Sequence, residues 1–181
     1  MLDRRSLLAA ALIAGGLAAA PAMAQAPADP ENTIFLDLKD GRVVIKLRPD
    51  LAPKHVAQVK ALTKQGFYNG IVFHRVIEGF MAQTGDPTGT GMGKSNLPNI
   101  PAEFTPTPFK RGTLGMARSS APDSANSQFF ICFAPASFLN NQYTVWGEVV
   151  SGMEFVDKIK RGEPPTNPDK IVKMQLASEA K

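Results

Sequence analysis

The sequence predicts a mainly β fold: a closed eight-stranded antiparallel barrel capped by two α-helices. Three observations point there. Eight short segments carry strand-like patterns rich in β-branched and aromatic residues. Only two segments read as helices, one from the spacing of its apolar residues and one from a capping-box pattern. Gly and Pro number 15 each in 181 residues, which favours many turns and short elements. Closure removes the exposed edges of such strands, and the helices can plug the open ends. The length suits one domain, and 44% hydrophobic with 20% charged residues suits a packed core.

In chain order, residues 1–24 read as a secretory signal. Arg4 and Arg5 precede an apolar run over residues 7–20, and Pro21-Ala22-Met23-Ala24 supplies small residues at an Ala-x-Ala site. The run is shorter than the ~20 residues a spanning helix needs, and Gly15 and Gly16 interrupt it. Cleavage after Ala24 and export to a bacterial periplasm are expected. The paired arginines hint at the twin-arginine route, with the general secretory route left open. Residues 25–32 read as a flexible lead-in, and residues 33–178 as the folded domain.

Thr33–Leu38 and residues 42–47 are β-rich and joined by Lys39-Asp40-Gly41, a hairpin signal. Residues 53–65 predict a helix: Pro53 suits the first turn, Val56, Val59 and Leu62 form an apolar stripe, and Gly66 ends it. His55, on this helix beside Lys54, is expected to be solvated. Residues 71–76 and 80–84 are the third and fourth strands, around a tight turn at Glu78-Gly79. A long loop over residues 85–112 follows, of a length that is often functional. Residues 113–117, 128–133 and 143–149 are the fifth to seventh strands. Ser151-Gly152-Met153-Glu154 resembles a capping box for a second helix ending near Gly162. Residues 170–177 are the eighth strand.

Several function classes fall away. Gly89-Thr90-Gly91-Met92-Gly93-Lys94-Ser95 invites a phosphate-loop reading, but position 88 is Thr where the Walker spacing needs Gly. No G-x-S-x-G elbow supports a serine hydrolase built on His74 and Asp86, and His74 reads as a hydrogen-bonded structural residue. The single cysteine, Cys132, lies in an apolar strand and reads as a small core residue. One cysteine and two histidines give no reason to invoke a metal or cofactor. The formal charge of +4 is mild and unclustered, so no nucleic-acid partner is expected.

Two segments carry the chemistry: Phe73-His74-Arg75-Val76-Ile77-Glu78-Gly79-Phe80-Met81-Ala82-Gln83 and Ser127-Gln128-Phe129-Phe130-Ile131. They gather a permanent cation, two amides and several apolar side chains. A buried arginine needs an acceptor, whereas a concave site for a carbonyl and an apolar ring can use one at its wall. The plainer alternative is a surface arginine paired with Glu78 or Asp86. Strict strand alternation would also send Phe80 and Met81 to opposite faces, so both reach one site only through a twist or bulge.

FHRVIEGFMAQTGD and SQFFICFA resemble the two signature stretches of the cyclophilin family of peptidyl-prolyl cis-trans isomerases (rotamases). The resemblance runs from about Thr33 to Leu176 and includes GFYNG, GTLGMAR and YTVWG. It implies an eight-stranded barrel with two capping helices, and it is similar in detail to the small bacterial exported branch. It implies that Arg75 is the catalytic residue. Phe80, Met81, Phe130, Leu139 and Tyr143 match the pocket for the proline ring, and Gln83 the amide that orients the substrate. Ala117, Arg118 and Gln128 match the peptide groove. Phe138 stands where cyclosporin-sensitive members carry tryptophan, which argues against tight cyclosporin binding. Glu78 and Thr84 replace a usual proline and glycine beside the site. The implied function is isomerisation of X-Pro bonds in unfolded or newly exported polypeptides by a monomer without cofactor. The alternative is a non-catalytic peptide-binding chaperone that uses the same groove.

Overall fold

The computed structural model describes residues 27–180, so the expected signal over residues 1–24 lies outside the described residues. Eight strands form one antiparallel sheet: β1 Thr33–Leu38, β2 Gly41–Leu47, β3 Arg75–Ile77, β4 Met81–Thr84, β5 Thr113–Met116, β6 Phe129–Cys132, β7 Val145–Ser151 and β8 Lys173–Leu176. Their spatial order is β3-β4-β6-β5-β7-β2-β1-β8. The expected closed barrel is therefore corrected to an open half-barrel, because β3 and β8 end the ladder without pairing. The segments just before them meet instead. Gly70 N and Phe73 N donate to the carbonyls of Ile171 and Asp169 at 2.8 Å each, and Val72 bridges Lys170. The two chains then part, and Val76 bridges Gly162. The strand predicted over residues 71–76 is split by this divergence, so only its end joins β3.

Among the described residues two helices, α1 Pro53–Lys64 and α2 Met153–Val156, accompany the sheet. The stripe Val56, Val59 and Leu62 on α1 is buried, as the spacing predicts. His55 is buried too, contrary to the solvated position expected of it. Its Nδ1 lies 2.6 Å from Glu103 Oε2, and the same carboxylate accepts the amides of Lys54 and His55 at 3.1 Å each. A residue of the long loop thus serves as the N-terminal cap that Ala52 cannot be. The predicted capping box at α2 does not form. Ser151 stays in β7, and Gly152 adopts a left-handed φ of 85° at the helix start with no side-chain cap. A Cβ there would overlap the backbone of Arg42 and Val43. After Val156 the chain closes three-residue turns, Lys158 N to Phe155 O and Ile159 N to Val156 O, so α2 ends well before Gly162.

The alternation of β6 divides the interior in two. Phe129 and Ile131 face the main core, where the Phe129 ring meets Tyr68 and Trp146 edge-on at 5.5 and 5.3 Å. Phe130 and Cys132 face a second cluster with Met81, Phe109, Leu139 and Val145. The end of the expected lead-in is ordered: Pro30–Asn32 forms a turn capped by Asp29 and contacts the C-terminal turn Ala177–Glu179.

Candidate functional site

The second cluster is the floor of an open groove of about 1070 Å³. Strand β4 supplies Met81 and Gln83 to it, and β6 supplies Phe130. The conflict over Phe80 and Met81 resolves without a bulge. β4 begins at Met81, and Phe80 sits in the preceding turn, free of strand alternation. The Phe80 ring packs against Phe138 at 5.3 Å on the rim. Phe138 and Leu139 share the short turn Ser137–Leu139, which leaves Phe138 68% exposed and buries Leu139. Phe130 stacks on Phe109 at 5.8 Å and meets Tyr143 edge-on at 5.9 Å. Gly115 pairs with Phe130 across the sheet, and any Cβ there would overlap both the Phe130 and Phe109 rings.

Arg75 and Gln83 are cross-strand partners in the β3–β4 hairpin, which is how residues eight positions apart become neighbours. Arg75 Nη1 donates to Gln83 Oε1 at 3.4 Å, and Gln83 Nε2 donates to Gln128 Oε1 at 2.9 Å. Gln128 Nε2 donates in turn to the carbonyls of Gly91 and Gly93 at 3.0 and 2.8 Å. The relay ties the guanidinium to the long loop. The plainer pairing of Arg75 with Glu78 or Asp86 is absent among the described residues. Glu78 accepts Arg161 Nε at 2.6 Å, and Asp86 accepts Thr88 N and Gly91 N. Arg75 Nε instead donates to Glu163 Oε1 at 2.7 Å.

Arg118 forms a wall rather than a free cation. Its Nε and Nη2 donate to Gln142 O at 3.1 and 2.8 Å, its Nη1 donates to Ser119 O at 2.9 Å, and its head lies 4.5 Å over the Tyr143 ring. Ala117 lines the groove beside it. Gln128 lies in an adjoining hollow, which it shares with Gln83, Ala117 and Arg118, rather than in the main groove. The structure therefore brings Arg75, Phe80, Met81, Gln83, Ala117, Arg118, Phe130, Phe138, Leu139 and Tyr143 around one groove. Sequence reasoning missed His74, Gln142, Glu163 and Pro164 on its walls. His74 carried a signal as the neighbour of Arg75, whereas Glu163 is 88 positions away and has no motif.

The phosphate-loop look-alike has a physical explanation. Its amides at Thr88 and Gly91 are occupied by the Asp86 carboxylate at 2.7 and 2.6 Å. Burial favours the neutral acid, but the bonds from the Thr88 hydroxyl and amide and from the Gly93 and Gly91 amides prevail and hold Asp86 at about 2. His74 is buried, and neither ring nitrogen has a hydrogen-bond partner among the described residues, unlike the bonded residue expected; burial lowers its pKa. Burial pushes the Cys132 thiol up to about 12, so it stays protonated in the core as anticipated. A fixed cation and an amide thus stand over an apolar floor, an arrangement that can grip a ring and donate hydrogen bonds beside it without proton transfer.

Residues 33–176 match the family model described as cyclophilin type peptidyl-prolyl cis-trans isomerase. A protein of Brucella suis named "Probable peptidyl-prolyl cis-trans isomerase" is 54% identical, with 98% of each chain covered. A crystal structure of a cyclophilin from Hirschia baltica superimposes with a TM-score of 0.78 at 28% identity, covering 84% of this chain and 76% of that one. A Cryptosporidium parvum cyclophilin, crystallised in the presence of the dipeptide Ala-Pro, gives 0.74 at 28% identity, covering 80% of this chain and 98% of that one.

Proposed function

The chain belongs to the cyclophilin family of peptidyl-prolyl cis-trans isomerases, and we propose that its groove turns X-Pro bonds of newly exported polypeptides as they fold, with Arg75 as the catalytic residue. The observation that carries this reading is the Arg75 guanidinium held at the wall of a hollow floored by Met81, Phe130 and Leu139, while the guanidinium of Arg118 on the same groove is engaged by the Gln142 and Ser119 carbonyls.

An X-Pro amide resists rotation by about 18–20 kcal/mol because its C–N bond is partly double. Its two isomers differ by only about 0.5–1 kcal/mol, so no energy source is needed. Halfway through the rotation, conjugation is lost and the proline nitrogen becomes pyramidal with a lone pair. A donor aimed at that lone pair stabilises the twisted amide more than either planar form, which is the condition for catalysis. Arginine suits the task, being always charged and rich in donors. One charge-assisted hydrogen bond contributes about 1.5–3 kcal/mol. A 10⁵-fold acceleration needs about 7 kcal/mol, so most of it must come from elsewhere. The apolar floor grips the ring and excludes water, and Gln83, beside Arg75, anchors the substrate backbone.

The dipeptide used with the Cryptosporidium relative supports proline-containing peptides as the substrate class. The signal-like sequence of residues 1–24 supports the periplasm as the place of action. The exposed rim also favours the holding of unfolded chains: Phe138 is 68% and Met92 89% exposed beside the two hollows. Exchange spectroscopy on an Ala-Pro peptide tests turnover, and fractionation of cells expressing the full chain tests export. Exchange above background with the protein in the periplasm supports the reading. Binding of unfolded chains without exchange would leave a holding protein instead.

A further inference from the structure

The guanidinium of Arg75 has five N–H donors, and two of them have partners among the described residues. The Gln83 contact is long, 3.4 Å, whereas the Glu163 contact is short and charge-assisted, 2.7 Å. The Glu163 contact is thus the closer of the two restraints on the head. Its mount is firm. The residue before it, Gly162, exchanges two backbone hydrogen bonds of 2.8 Å with Val76, the residue after Arg75. Arg161 is pinned by Glu78 at 2.6 Å and by the Asp157 carbonyl at 2.7 Å. The main chains carrying the acid and the base are thus tied to each other one residue away from the ion pair. Gly162 has a φ of 144°, and a Cβ there would overlap Pro164 and Pro165, which suits a tight turn that presents Glu163 to the groove.

We propose that Glu163 is a positioning residue for Arg75: its carboxylate takes Nε and so turns the Nη edge toward the hollow above Met81 and Phe130. The inference rests on Arg75 acting as proposed above. The pair itself contributes little to stability. The side chains of Arg75 and Glu163 are 44% and 52% exposed, and ion pairs so open to solvent are weak. Removing the carboxylate should then leave the fold intact and act on the orientation of the guanidinium.

The test is kcat and KM on an Ala-Pro peptide for five proteins: wild type, Glu163→Ala, Glu163→Gln, Arg75→Ala and the Arg75→Ala/Glu163→Ala double variant. Thermal unfolding of each checks the fold. The alanine variant at 163 should lose about tenfold in kcat with KM within about twofold. The glutamine variant, whose amide oxygen can still accept from Nε, should stay within about threefold of wild type. The double variant should match Arg75→Ala, because a residue acting through the guanidinium has nothing left to position. The inference is overturned if Glu163→Ala keeps the wild-type rate, if Glu163→Gln is as slow as Glu163→Ala, or if the double variant falls below Arg75→Ala. Wild-type turnover in Arg75→Ala would bring down the catalytic reading itself, and the inference with it.

Discussion

Replacing Gln83 by Leu removes the middle of the relay while keeping an uncharged, branched side chain in its place. Two bonds go. The Arg75 Nη1 contact is charge-assisted but long at 3.4 Å, so about 1 kcal/mol is a fair share of the ~1.5–3 kcal/mol of a well-formed bond. The Gln128 contact at 2.9 Å is of ordinary strength, and its loss leaves the half-buried Gln128 Oε1 without its donor, about 1 kcal/mol more. If both losses fall on the twisted state, the sum of about 2 kcal/mol predicts a drop of about 30-fold in kcat/KM. The assay is line-shape or exchange analysis of an Ala-Pro peptide, with circular dichroism to confirm the fold. Gln128 keeps its bonds to Gly91 and Gly93, so the long loop should stay in place. A folded Gln83→Leu protein within threefold of the wild-type rate would refute the reasoning, because the relay would then carry no part of the reaction.

Other outcomes follow from the same contacts. Phe130→Ala empties the groove floor between Phe109 and Tyr143, and should cost about 3–5 kcal/mol in urea unfolding and raise KM. Glu103→Ala strips α1 of its cap and His55 of its partner, and should destabilise the fold by about 3 kcal/mol in the same measurement. Asp86 has its folded-state pKa depressed from 3.8 to about 2, so its stabilisation is complete above the unfolded value and lost as pH falls through the folded one. At 1.36 kcal/mol per unit this is about 2 kcal/mol, and Asp86→Asn should flatten the stability profile between those two values in acid titrations followed by denaturant melts.

Much of the fold is legible because its signals are local. Thr33–Leu38 and Gly41–Leu47 alternate cleanly around Asp40-Gly41, and Pro53 with the stripe to Leu62 marks α1. The failures lie where distant segments decide. The open seam depends on how residues 70–73 meet residues 169–171, which no local pattern encodes. The apparent capping box is displaced by Gly152, whose left-handed turn lies against Arg42 and Val43, and α2 is short because the chain tightens into three-residue turns after Val156. His55 reads as solvated because its burial depends on Glu103, 48 positions later. At the groove, the residues of the β3–β4 hairpin and of β6 are readable because they lie in two short stretches. Gln128 reads as a groove residue and lines the adjoining hollow, where it accepts a bond from Gln83. Glu163 reaches Arg75 only through the bridge at Val76 and Gly162, so nothing short of the fold reveals it.

On the proposed function, the Arg75 guanidinium stabilises an X-Pro bond in mid-rotation. The most direct test is the exchange rate of an Ala-Pro peptide with Arg75→Ala set beside wild type at equal concentration. Loss of about 3 kcal/mol of preferential stabilisation predicts a rate lower by about 100-fold or more, in a protein that unfolds at an unchanged temperature. An alanine variant that turns the peptide over as fast as the wild type would contradict it.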